Sequence, residues 1–202
     1  MKKIKKVDTI EAKRAFIIPQ EINSHRTDHR FIKKISKGVF DTRLKNAKEK
    51  ILKLKESELD KILYKNSKKR FEAYNMSDWY ICEVSIDEVG VWTRAGGLPL
   101  RWTNDNLGET AKNVKMALET KSKLLNKRAR YTIPNMLETN VGDLQKEIYL
   151  FPIMFKHNTG TRGRYRLKKH VGFDIDDGCM RSITLAVSGV KNIKAYIGFP
   201  KN

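Results

Sequence analysis

The chain has 202 residues, 40% of them hydrophobic, which is enough for a packed core and too much for a disordered chain. Forty-two Lys and Arg stand against 23 Asp and Glu, a formal charge of +19, so the surface repels itself and a polyanion is the simplest partner. Two isolated cysteines, Cys82 and Cys179, with no Cys-x-x-Cys or Cys/His ligand spacing, argue against a structural zinc site and for a reducing, cytoplasmic compartment.

The opening Met-Lys-Lys-Ile-Lys-Lys resembles the charged start of a signal peptide. The only apolar run behind it, residues 15–18, is too short and ends at Pro19. No run approaches the roughly 18 apolar residues of a membrane span, so neither a leader nor a membrane partner is expected. The expectation is one nucleic-acid-binding domain over 1–202, helix-rich over 20–70 and 104–148 and strand-rich over 79–103 and 149–199.

In chain order, residues 13–18 (Lys-Arg-Ala-Phe-Ile-Ile) have the composition of a first strand, closed by Pro19. The polar stretch 23–30, with Arg26 and Arg30, is too charged to be buried. Asp41 can cap a helix in which Leu44, Ala47, Ile51 and Leu54 recur at helical spacing. Ser57-Glu-Leu-Asp60 has the outline of a capping box for a second helix, which Lys68-Lys69-Arg70 closes. Residues 79–86 alternate as a strand, with Tyr80, Cys82, Val84 and Ile86 on the apolar parity and Glu83 and Ser85 on the polar one. Residues 89–94 and 98–103 read as a hairpin around Ala95-Gly96-Gly97. A helix capped by Asn104 or Asp105 carries Leu107, Ala111, Val114, Leu118 and Leu125 and runs into Arg128 and Arg130 before Pro134. A short helix from Asn140 or Asp143 and a strand over 149–155 follow.

From Tyr149 to Phe173 there is no acidic residue, while Lys156, Arg162, Arg164, Arg166, Lys168 and Lys169 fall inside. Taken two at a time, Arg164, Arg166, Lys168, His170, Gly172 and Asp174 share one face, opposite Tyr165, Leu167, Lys169, Val171, Phe173 and Ile175, which is apolar apart from Lys169, as a half-buried antiparallel strand requires. Asp176-Asp177-Gly178 suits a hairpin turn. The next two strands set Ile183, Leu185 and Val187, then Ile193, Ala195 and Ile197, on the apolar face, and Lys194 and Tyr196 on the polar one. The expected fold is therefore α+β: a curved, mainly antiparallel sheet ending in a C-terminal meander, with helices 41–65 and 105–127 on its apolar face.

On this reading the polar face holds nucleic acid, DNA or RNA alike, through Arg162, Arg164, Arg166, Lys168 and Lys194, with Arg26, Arg30, Arg128 and Arg130 at its rim and Tyr196 for stacking. His170 with Glu83, Asp174 and Tyr196 would supply acid–base chemistry, pointing to metal-independent strand cleavage or base excision. The alternative is a non-catalytic module such as a ribonucleoprotein component or repressor. A two-metal site wants clustered carboxylates. The tightest group near this face is Asp174, Asp176 and Asp177, two of which the turn explains. Walker, dinucleotide, nucleophile-elbow and His-Glu-x-x-His patterns are absent, so no cofactor and no metal is expected.

Overall fold

The structure, a computed structural model, describes residues 1–24, 35–156 and 171–201. It is an α+β fold built on one open sheet of six strands: β1 (Lys2–Val7), β2 (Ser77–Ser85), β3 (Val89–Gly90), β4 (Ile153–Lys156), β5 (Phe173–Asp177) and β6 (Asn192–Pro200). Nine α-helices lie among the described residues: α1 (Thr9–Ser24), α2 (Lys37–Ile51), α3 (Glu56–Asn66), α4 (Lys68–Asn75), α5 (Leu100–Thr103), α6 (Leu107–Glu119), α7 (Lys127–Thr139), α8 (Val141–Lys146) and α9 (Cys179–Val187). None is long and apolar enough to cross a membrane.

The strand order is β1-β2-β6-β4-β5-β3. The β1–β2, β2–β6 and β4–β5 pairs are antiparallel, while β4–β6 and β3–β5 are parallel. The sheet is therefore mixed, which corrects the expected mainly antiparallel meander. The reason lies in residues 182–188, expected as a strand, of which all but Ser188 lie in helix α9. A helix between β5 and β6 lets β6 leave its sequence neighbour and pair with β2 and β4 instead. Asp176-Asp177-Gly178 is correspondingly a strand-to-helix turn, with Gly178 at φ 88°, a backbone region that side chains disfavour. Residues 13–18 lie inside α1, and 98–103 contain α5 rather than a hairpin strand.

Cross-strand partners share a face, so the register sorts the side chains. One face carries Trp79, Ile81, Tyr196, Gly198, Ile153 and Phe155; the other carries Tyr80, Cys82, Val84, Ile193, Ala195, Ile197, Met154 and Phe199. On the Trp79 face the rings of Tyr74, Trp79 and Phe155 meet at 4.8–5.8 Å, and Phe16 of α1 adds an edge contact to Tyr74 at 6.0 Å. Gly198 makes room for them, since a Cβ there would lie 2.8 Å from Phe155 and 3.1 Å from Trp79.

Helix α1 stands between the sheet and helices α2 and α3. Ala12, Ala15, Phe16, Ile17, Ile18 and Ile22 are all buried, and that packing offsets the roughly 3 kcal/mol that Pro19 costs inside a helix. Helices α6 and α7 each pack on α9 as a second group. Side chains fix the helix starts: five residues before the expected Asp41, one past the expected Asp105, and at Asn126, where no start was expected. Ser36 accepts from the Val39 amide, Asn106 from Glu109 and Asn126 from Ala129, each meeting an orphan donor of the first turn.

Charge is also built into the interior. Arg70 of α4 donates through Nε to Asp176 Oδ2 at 2.8 Å and through Nη2 to Oδ1 at 3.2 Å, and the Tyr74 hydroxyl adds a bond at 3.3 Å. Lys13, fully buried, lies 2.9 Å from Glu56 and 2.5 Å from Asp60.

Candidate nucleic-acid interface

The first strand reads Lys-Lys-Ile-Lys-Lys-Val, and all but Val7 are exposed. Such a sequence has no apolar alternation to drive it into a sheet. Backbone pairing with β2 makes it a strand, and its lysines suit an edge. Lys3 lies opposite Cys82 and Lys6 opposite Tyr80, with an irregularity between Lys3 and Lys5. The extra residue, Ile4, is a β-bulge, and it brings Lys3 and Lys6 to the same face although three positions separate them.

That face is closed over Val84, Ile193, Ala195 and Ile197, which are buried, and opens toward Tyr80 and Phe199, which are partly exposed. Here Lys3 Nζ lies 3.9 Å from the centre of the Tyr80 ring and 4.6 Å from that of Phe199. Lys6 Nζ is 5.9 Å from the Tyr80 ring and 3.6 Å from the carboxylate of Asp78. The Tyr80 and Phe199 rings meet at 5.7 Å and 81°, and Phe173 continues the cluster at 6.5 Å from Phe199. Cations over ring faces at these distances are attracted by the ring quadrupole. The exposed Lys156 is in register with Phe173, one step past the Phe155–Gly198 pair, which places it beside Phe199. Beneath Lys3, burial pushes the Cys82 thiol up to about 11, so it stays a protonated, unreactive thiol at neutral pH.

The residues expected to form the site are not assembled as the alternation implied. Arg26, Arg30, Arg162, Arg164, Arg166, Lys168 and His170 lie outside the described residues. Tyr196 falls on the polar parity of β6 as expected, but that parity faces the Trp79 core. It is fully buried, its ring 6.5 Å from Phe151, and its hydroxyl has no hydrogen-bond partner among the described residues. Desolvation pushes its pKa far above the ordinary phenol value. A stacking or proton-transferring Tyr196 is thereby corrected: α1 covers the face that was expected to be open.

Glu83 stands in register between Lys2 and Lys194. Asp174 shares its face but lies three strands away and four residues along, about 14 Å by about 13 Å at ordinary sheet spacings. The two carboxylates cannot act on one atom. Asp176 is held by Arg70, and Asp177 by Arg181 at 2.6 Å and Gln20 at 3.2 Å. Burial raises the Asp177 carboxyl above its ordinary value and the Arg181 guanidinium opposes it. Among the described residues no group of three or more His, Cys, Asp or Glu is placed to hold a metal.

Arg128 and Arg130 lie on α7, in the second helical group rather than on the sheet. Arg128 is exposed, while Arg130 donates to the carbonyls of Ser122 and Leu125 and shapes the turn before α7. That turn borders a cleft of about 420 Å³ floored by Trp102, Met116, Ala117 and Leu124. Lys194 is exposed on β6.

The sequence did contain the signal for the open face. The apolar parity of the 79–86 strand begins in Tyr80, that of the last strand ends in Phe199, and a lysine run opens the chain; what was missing was the pairing that brings the three together. No family model, curated protein or solved structure matches the chain.

Proposed function

We propose that the chain binds nucleic acid through the open end of the Tyr80 face, as a binding module. One observation carries this reading: Lys3 and Lys6 set over the partly exposed rings of Tyr80 and Phe199, on a chain of net charge +19. Lysines can neutralise phosphates with release of counterions, and rings can stack on bases. The exposed Lys156, in register with Phe173, adds a further cation at that end of the sheet.

Cleavage of the strand draws no comparable support. Glu83, Asp174 and Tyr196 do not converge, so the chemistry would rest on His170, outside the described residues. The test is binding of labelled DNA and RNA across a salt series. With roughly five phosphate contacts, log K should fall against log[salt] with a slope of about −4; a slope near zero removes the reading. Incubating the same labelled strands with and without EDTA tests the rest: intact product throughout fits a module, and cleavage reinstates an active site.

A further inference from the structure

We infer that the corner between Tyr80 and Phe199 takes one unpaired nucleobase, so that the chain selects single-stranded over duplex nucleic acid. This rests on the nucleic-acid reading above and adds to it the substrate class. The two rings stand at 81° with centres 5.7 Å apart, forming a right-angled notch rather than a flat platform. The notch is occupied by the ammonium of Lys3, 3.9 Å from one ring centre and 4.6 Å from the other.

A base laid flat on Tyr80 would sit at the same height as that ammonium, with its edge toward Phe199. The long, exposed side chain of Lys3 can swing out of the notch to the adjoining phosphate, and Lys6 stands ready for the next. One movement thus turns two cation–ring contacts into one stack and one phosphate contact. A base within a duplex has both flat faces covered by its neighbours and cannot enter the notch without being unstacked, whereas a base in a single strand is free to do so. Stacking reads the π-face that every base has, so the selection is for strandedness and not for sequence.

The experiment measures anisotropy at one fixed salt concentration with three labelled probes: an oligothymidylate of about 12 nucleotides, an abasic strand of the same length and a duplex of the same length. The thymidylate should bind the wild-type chain about tenfold more tightly than the abasic strand and more tightly than the duplex. Tyr80→Leu should remove most of that tenfold advantage while leaving abasic binding and the salt slope unchanged, and Tyr80→Phe should keep it. Lys3→Gln should instead reduce the salt slope by about 1 on every strand. Equal binding of thymidylate and abasic strands by the wild-type chain, a comparison that needs no variant to fold, overturns the notch and leaves nucleic-acid binding in place. So does full thymidylate affinity in a folded Tyr80→Leu. Failure to bind any of the three probes overturns both.

Discussion

On the Trp79 side of the sheet, two buried cations are answered by carboxylates: Arg70 grips both oxygens of Asp176, and Lys13 lies between Glu56 and Asp60. On the Tyr80 side, Lys3 and Lys6 are exposed and lie over rings, with Asp78 as the carboxylate near Lys6. The difference is one of what each arrangement does for the fold. A desolvated, bidentate pair cannot lose a partner without stranding a charge, which costs about 3–5 kcal/mol. An exposed cation over a ring stabilises by only about 0.5–1 kcal/mol. The inner cations are accounted for by stability; the outer ones are placed with little structural return, as residues waiting on a partner would be.

The largest expected effect tests the inner side. Asp176→Ala should lower unfolding free energy by about 3–5 kcal/mol in urea titration, because Arg70 would keep a buried charge without its partner. A loss below about 1 kcal/mol would mean that the pair does not hold α4 to β5, and the contrast between the faces would collapse. The outer side is tested by Lys3→Ala with Lys6→Ala. Stability should change by about 1 kcal/mol or less, while the salt slope of nucleic-acid binding should fall by about 2, one phosphate for each lysine. A double variant that unfolds more easily by several kcal/mol would make these lysines structural.

The smallest effect at neutral pH belongs to Tyr196→Phe. Its hydroxyl is buried without a partner among the described residues, so removing it should shift stability by about 1 kcal/mol or less in either direction. The signature lies at high pH. Tyr74 and Tyr196 both have pKa values raised above the ordinary 10.0, chiefly by burial. Above pH 10 the unfolded chain sheds phenolic protons that the folded chain keeps, so stability falls as pH rises, by up to about 1.4 kcal/mol per pH unit for each such group. Tyr196→Phe should flatten that fall by one tyrosine's share in denaturation curves taken from pH 9 to 11. An unchanged alkaline slope would mean that Tyr196 ionises in the folded chain, and so meets water.

How much was legible follows from how each segment is buried. The helices at 41–51 and 107–119 each keep one face wet, and their period of 3.6 survives in the sequence. The 79–86 strand, buried through Trp79 and Ile81 on one face and Cys82 and Val84 on the other, was legible from its composition. Helices α1 and α9 were not: in α9, Cys179, Ser182, Ile183, Thr184 and Leu185 are all buried, as are Ala12, Ala15, Phe16, Ile17 and Ile18 in α1. A helix covered on nearly every side, as α1 is, loses its stripe; α9 keeps one, but it is only nine residues long and its β-branched Ile183, Thr184 and Val187 mimic a strand. The misreading of α1 as a strand also left Tyr196 on an open face. Pro19 and Pro134 misled in the same direction, since both sit inside helices that tertiary packing sustains. The β1 strand failed for the opposite reason, having no buried face to write a pattern. The notch at Tyr80 and Phe199 is built from the segments Ser77–Ser85 and Asn192–Pro200, joined to a strand at the start of the chain, and only pairing reveals it.

The bulge at Ile4 carries a consequence for any chain built on the same plan. Without it, lysines at positions 3 and 6 would point to opposite sides, because alternation has a period of two. With it, their side is set by Cys82 and Tyr80 on the neighbouring strand. Deleting Ile4 should therefore leave both ammonium groups above the rings, whereas inserting a residue between Lys5 and Lys6 should turn one of them away. A pattern search that counts along the basic strand itself would pass over such a surface. Counting must run along its partner.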